Sequence, residues 1–149
     1  MSRQLIQSCF PKLNNCNYTV TSPATDDYNC IAWAARDNSS WWEPDPFNGY
    51  YWPPGVPRAY TIDSYIKAYE SLGFFQCDNY DYEQGFEKIV IYVNSGMPSH
   101  AARQLGPGQW TSKLGKLEDI EHPSLQCIEG TSSDEYGSVT VVMKRLITT

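Results

Sequence analysis

The sequence predicts a single α+β domain in which a layer of helices packs on a small antiparallel sheet. Three observations lead there. Helical spacing of apolar residues is confined to the first half, a β-branched apolar run begins at residue 86, and Gly106-Pro107-Gly108 joins two strand-like segments. A chain of 149 residues holds one domain with a core of its own and is short for two.

Residues 1–25 are polar and read as an irregular N-terminal segment. In "TSPATDDYNCIAWAARD" (21–37) an acidic stretch gives way to an alanine-rich helix over about 28–37, with Cys30 in its first turn. The following "WWEPDPFNGYYWPPGVP" (41–57) is dense in proline, which forbids both a long helix and a central strand. Its many rings argue against disorder, so it reads as an ordered aromatic loop.

"TIDSYIKAYESLGF" (61–74) is the clearest helix, because Ile62, Tyr65, Ile66, Tyr69 and Leu72 recur on one face. Thr61 suits the N-cap, Asp63 the positive first turn, and Gly73 the left-handed stop. "FEKIVIYVN" (86–94) has the composition of a buried strand. Residues 100–105 and 109–115 then form a hairpin about the Gly-Pro-Gly turn. "YGSVTVVMKRL" (136–146) places Val139, Val141 and Met143 on one face of a half-buried strand. The intervening "LEDIEHPSLQCIEG" reads as a loop with room for a short helix, so three or four antiparallel strands are expected.

Seventeen acidic against 11 basic side chains give a formal charge of −6, and the basic residues stand singly. That argues against a nucleic-acid binder and against docking on an anionic membrane. No apolar stretch reaches the length of a membrane span, and "MSRQLIQSCF" lacks the apolar core of a secretory signal. Cysteines at 9, 16, 30, 77 and 127 are odd in number and none has C-x-x-C spacing, so a reduced, cytoplasmic protein is expected. Export that needs no cleavable signal stays open, as does the oligomeric state. The cysteines and the two histidines lack the paired spacing of zinc ligands, and no phosphate-loop or dinucleotide fingerprint occurs, so neither a metal nor a cofactor is expected.

Cys30 has two readings. Unpaired N–H groups at a helix start favour a thiolate and face a developing oxyanion, which suits a nucleophile; Asp26 and Asp27 oppose this. The other reading is a small core residue between Ile31 and Ala34. His100 opens a strand beside Ala101 and Ala102, where its ring has room to turn toward a helix end, or it is a solvated loop residue. A thiol–imidazole pair also needs a group to orient the second ring nitrogen. Asp119 is the leading candidate, with Glu121, Gln104 and Ser112 behind it; a helix cap is the alternative role of Asp119. The aromatic loop, with Trp41, Trp42, Phe47, Tyr50, Tyr51 and Trp52, either walls a groove for a peptide or sugar or covers the core.

"YNCIAWAA", "PSHAARQL", "WTSKLG" and "EDIEH", in this order over about residues 28–145, resemble a family of small uncharacterised domains found mainly in bacteria. That family in turn looks like the papain-like thiol hydrolases, above all their compact cell-wall-amidase branch. The resemblance implies a compact papain-like fold, Cys30 as nucleophile and His100 as base. For the third role, Ser112 matches the compact amidases and Asp119 matches papain; Asp119 is preferred because a carboxylate stabilises an imidazolium better than a hydroxyl does. The "CGSCW" signature of papain itself is absent.

The expected activity is that of a cysteine-dependent hydrolase or acyl/amide transferase, a peptidase, amidase or deamidase acting on a peptide or protein amide through a thioester. Backbone N–H groups around Cys30 hold the oxyanion, Asn29 assists, and Trp41, Trp42, Tyr51 and Trp52 meet the substrate. A bacterial effector is one form of this reading. The alternative is a catalytically inactive binding domain that uses the aromatic loop for recognition.

Overall fold

One antiparallel sheet organises the chain, which a computed structural model describes over residues 2–147. Its strands are β1 (Thr19–Ser22), β2 (Phe75–Gln76), β3 (Phe86–Asn94), β4 (Met97–Gly106), β5 (Gln109–Lys113), β6 (Asp119–His122) and β7 (Ser138–Leu146). They lie in the order β1-β6-β5-β4-β3-β7-β2, so the β3–β4–β5–β6 run is a meander of sequence neighbours and the edges are short, polar or both. Short edges limit pairing with other chains.

The strand period sorts residues onto two cores. Ile89, Ile91, Ala101 and Met143 face α2 (Cys30–Ala34), α3 (Ile62–Glu70) and the aromatic loop. Val90, Tyr92, Ala102 and Ile120 face the other side, under α1 (Ser2–Cys9) and two 3-10 turns, Pro11–Asn15 and Leu125–Ile128. Ala32, Ala34 and Ala101 are small enough to let α2 lie close on β4. Tyr69 of α3 fixes that helix by donating from its hydroxyl to the Ile31 carbonyl at 2.8 Å.

The α+β class, the caps of α3 and the Gly-Pro-Gly hairpin are as expected. The Thr61 hydroxyl accepts from the Ser64 N–H at 3.2 Å, and Gly73 and Gly108 both have positive φ. Other expectations need correction. The N-terminal segment is a helix, a 3-10 turn and a strand, because Ile6, Phe10 and Leu13 are buried against the second core. The sheet has seven strands: polar β1 and β6 pair with each other, and β2 is a two-residue edge. The first alanine-rich helix is shorter than 28–37, since Asn29 caps it and the chain turns left-handed at Arg36 (φ 66°). In β7 a bulge lets Val141 pair with Ile91 and Val139 with Tyr92, which turns Val139 to the face opposite Val141 and Met143.

The cysteines are not all reduced. Cys16 and Cys127 form a disulfide across 111 residues, tying the N-terminal segment to the second 3-10 turn; Cys9, Cys30 and Cys77 are free. No helix among the described residues is long and apolar enough to cross a membrane.

Candidate functional site

Cys30 is the first residue of α2, and its position follows from Asn29. The Asn29 Oδ1 accepts from the N–H groups of Ala32 (3.2 Å) and Trp42 (3.1 Å), while Nδ2 donates to the Trp42 carbonyl at 2.7 Å. One side chain thus caps the helix and anchors the aromatic loop beside the thiol. Cys30 is 8% exposed and lines a cavity of about 280 Å³ with Trp41, Trp42, Tyr60, Pro98, Ser99 and Tyr136.

Burial pushes the Cys30 thiol up to about 11, although the backbone N–H groups of Ala101, Ile31 and Cys30 itself lie against the sulfur and favour the anion. Lys113 acts in the same direction from farther away. Its ammonium is fully buried and donates to the carbonyls of Thr25 (2.7 Å), Gly115 (2.6 Å) and Leu117 (2.6 Å), so the cation is held by backbone dipoles. At neutral pH the resting group is the thiol.

His100 is also inside, and there the expected pair is interrupted. Its side chain lies with Tyr92 on the face opposite α2, is completely buried, and has no hydrogen-bond partner at Nδ1 or Nε2 among the described residues. The ring packs edge-on against Tyr92 and flat on Tyr136, with centroids 3.9 Å apart and planes 6° from parallel. Burial, with the nearby His122 adding to it, holds His100 well below the usual histidine range, so the ring is neutral. The residues on either side of it lie on the Cys30 side: Ser99 lines the cavity and the Ala101 N–H faces the thiol. Tyr136 touches both places, since it covers the imidazole and borders the cavity.

The remaining candidates are placed elsewhere. Asp119 does not orient His100; its carboxylate accepts from Tyr28 (2.7 Å) and from Thr21 (2.6 Å), and it lines a separate cavity with Arg103. Glu121 borders that same second cavity. Ser112 is fully buried and hydrogen-bonds His122 Nε2 at 2.8 Å. Because His122 Nδ1 meets the Ser124 carbonyl at 2.9 Å, Nδ1 carries the proton and Ser112 donates to Nε2. Gln104 donates to the Tyr80 carbonyl at 3.0 Å.

The aromatic loop divides between both of its readings. Trp41 and Trp42 line the thiol cavity, whereas Trp52 is buried edge-on against Tyr65 in the core. Tyr51 is exposed and rests on Trp42, and Phe47 and Tyr50 face solvent. Among the described residues no group of three or more His, Cys, Asp or Glu side chains is placed to hold a metal ion.

Tyr60 and Tyr136 were not foreseen as site residues. Tyr60 donates a short hydrogen bond to Glu43 at the rim, which no spacing in the sequence signals. Tyr136 is marked only by the glycine after it: Gly137 has φ 74°, and a Cβ there would clash with the Val93 carbonyl oxygen. The Tyr136 backbone must therefore run hard against β3, which seats its ring over the start of β4.

No curated protein and no solved structure matches the chain. Residues 19–144 match a family described as a domain of unknown function (DUF7689), a span that includes Cys30, His100, Tyr136, strands β1 to β6 in full and β7 up to Lys144. The chain belongs to that family.

Proposed function

We propose that the protein is a cysteine-dependent hydrolase or acyl/amide transferase of papain-like type whose nucleophile is Cys30, with His100 as its base, described here in a closed form. One observation carries this reading. A thiol ringed by backbone N–H groups opens onto an aromatic-walled cavity, and next to Ala101 in the chain stands a buried imidazole with both nitrogens unpartnered among the described residues. An orphaned buried polar group costs roughly 1–3 kcal/mol, a penalty that a structural role does not account for.

The chemistry is that of acyl transfer. With Tyr136 displaced and the His100 ring turned from the Tyr92 face toward Cys30, the imidazole takes the thiol proton, and the sulfur attacks an amide carbonyl carbon. The N–H groups of Ala101 and Ile31 receive the oxyanion. The imidazolium returns its proton to the departing amine as the C–N bond breaks, and water or an acceptor amine then cleaves the thioester. Substrate enters past Trp41 and Trp42. The disulfide supports maturation in an oxidising compartment, and hence an exported protein.

A binding domain without activity is the second reading, and the neutral thiol and covered imidazole favour it. The exposed rings of Phe47, Tyr50 and Tyr51 would then carry recognition. Intact-mass analysis after incubation with p-nitrophenyl acetate separates the two. A single acetyl adduct on Cys30, released with time and missing from Cys30→Ser, supports the hydrolase. Acetylation confined to Cys9 and Cys77, or none, supports the binding domain.

A further inference from the structure

Arg103 is an anomaly of a different kind. It is only 8% exposed, yet it makes no ion pair among the described residues. Its one hydrogen bond is a long one, from Nε to the Trp33 carbonyl at 3.4 Å, and the guanidinium rests over the Trp33 indole at 5.1 Å. Burial and the neighbouring Arg36 lower it to about 10, which leaves it a cation at neutral pH. Its terminal nitrogens have no partner among the described residues and are not among the buried unpartnered polar atoms, so they are open to a ligand.

Those nitrogens belong to a residue that lines a cavity of about 240 Å³. Asp119 and Glu121 line the same cavity, and neither forms an ion pair with Arg103. Both Asp119 oxygens already accept hydrogen bonds, from Thr21 and Tyr28, so this carboxylate is held in place. A buried-stem guanidinium, a fixed Asp119 carboxylate and the half-buried Glu121 thus line one small cavity without an ion pair between them. A simple anion would gain Arg103 and be repelled by the two carboxylates; a simple cation would meet the opposite conflict. A ligand carrying both charges satisfies both sides.

We infer that this cavity binds a zwitterion of the α-amino-acid type, its carboxylate on the Arg103 guanidinium and its ammonium toward Asp119 and Glu121. Leu105 and Trp33 supply apolar lining for a small or medium side chain. The site is separate from the Cys30 cavity, and the inference does not depend on any reaction there.

Isothermal titration of the intact protein with L-leucine tests it, with leucinamide, acetate, methylammonium and inorganic phosphate as comparisons. The expected result is one saturable site for leucine, with leucinamide and acetate about tenfold or more weaker. Arg103→Gln should abolish binding, and Glu121→Gln, at the half-buried rim, should weaken it while the melting temperature stays the same. The amide and acetate comparisons use wild-type protein, so they decide the matter even where Arg103→Gln fails to fold. Equal binding of acetate or phosphate, unchanged binding in Arg103→Gln, or no leucine binding at millimolar concentration would each overturn the inference.

Discussion

The imidazole of His100 and the phenol ring of Tyr136 lie face to face, 3.9 Å between centroids and 6° from parallel. This stack seals a base candidate away from a thiol whose cavity Tyr136 also borders. Tyr136 sits on a segment closed by a pair of backbone hydrogen bonds between Gly130 and Gly137, and its own carbonyl accepts from Ser99 at 2.6 Å. The ring also packs on Phe10 and Tyr92, with centroids 4.9 and 6.3 Å away.

Tyr136→Ala should therefore raise the rate of Cys30 alkylation by iodoacetamide at pH 7.5 by about tenfold or more, read by peptide mass mapping. Cys77 serves as the internal reference, since it neither borders this cavity nor lies near Tyr136, whereas Cys9 does lie near that ring. An unchanged ratio of Cys30 to reference labelling would show that Tyr136 does not screen the thiol.

Asp119→Asn is expected to act on stability. The substitution removes the charge that holds Tyr28 and Thr21, which joins β6 to the segment before α2. Urea unfolding should show a loss of roughly 1–3 kcal/mol, with Cys30 reactivity in the folded protein within about twofold of wild type. A large fall in Cys30 reactivity at unchanged stability would instead give this carboxylate the orienting role expected from the sequence.

Acid should destabilise the fold earlier than its carboxylates alone would. Burial lowers His122 to about 4, against an ordinary value of 6.5, and burial also holds His100 well below that ordinary value. Between those values the unfolded chain binds protons that the folded one does not, so stability is complete above pH 6.5 and falls as pH drops through the window. For His122 alone the loss by pH 4 is about 3 kcal/mol. Unfolding midpoints measured from pH 7 to pH 4.5 should fall steadily in wild type and less steeply in His122→Asn. A flat profile over that range would contradict the buried neutral assignment.

The disulfide predicts that peptide mapping without reductant recovers Cys16 and Cys127 as one linked pair. Closing so long a loop stabilises by about 4–5 kcal/mol in the chain-entropy account. The Cys16→Ser/Cys127→Ser protein should melt well below wild type. Two free thiols at these positions in protein from an oxidising compartment would remove the support for export.

Local signals carried the parts of the fold that the sequence made legible. Thr61, Asp63 and the apolar stripe of α3 act within one helix, and the Gly106–Gly108 turn acts within one hairpin. β6 was missed because its alternation runs for four residues only and buries Asp119 and His122, whose polar atoms are satisfied by Tyr28, Thr21 and Ser112 far along the chain. β1 was missed because Thr-Val-Thr-Ser is an edge strand paired on one side. The Cys30 position at a helix start was readable from the change of an acidic stretch to an alanine-rich one, and the Asn29 cap fixes it in the structure. The direction of the His100 ring was not, because it depends on the Tyr92 register and on Tyr136, which lies 36 residues later and is marked only by a turn glycine.

The central claim is that Cys30 and His100 work as a pair once Tyr136 is out of the way. The most direct measurement is the pH dependence of Cys30 alkylation in Tyr136→Ala, compared with Tyr136→Ala/His100→Ala. The account predicts a reactive thiolate appearing well below pH 9 in the first protein and lost in the second. A single rise near pH 11 in both proteins, the behaviour of a buried thiol with no partner, would contradict it.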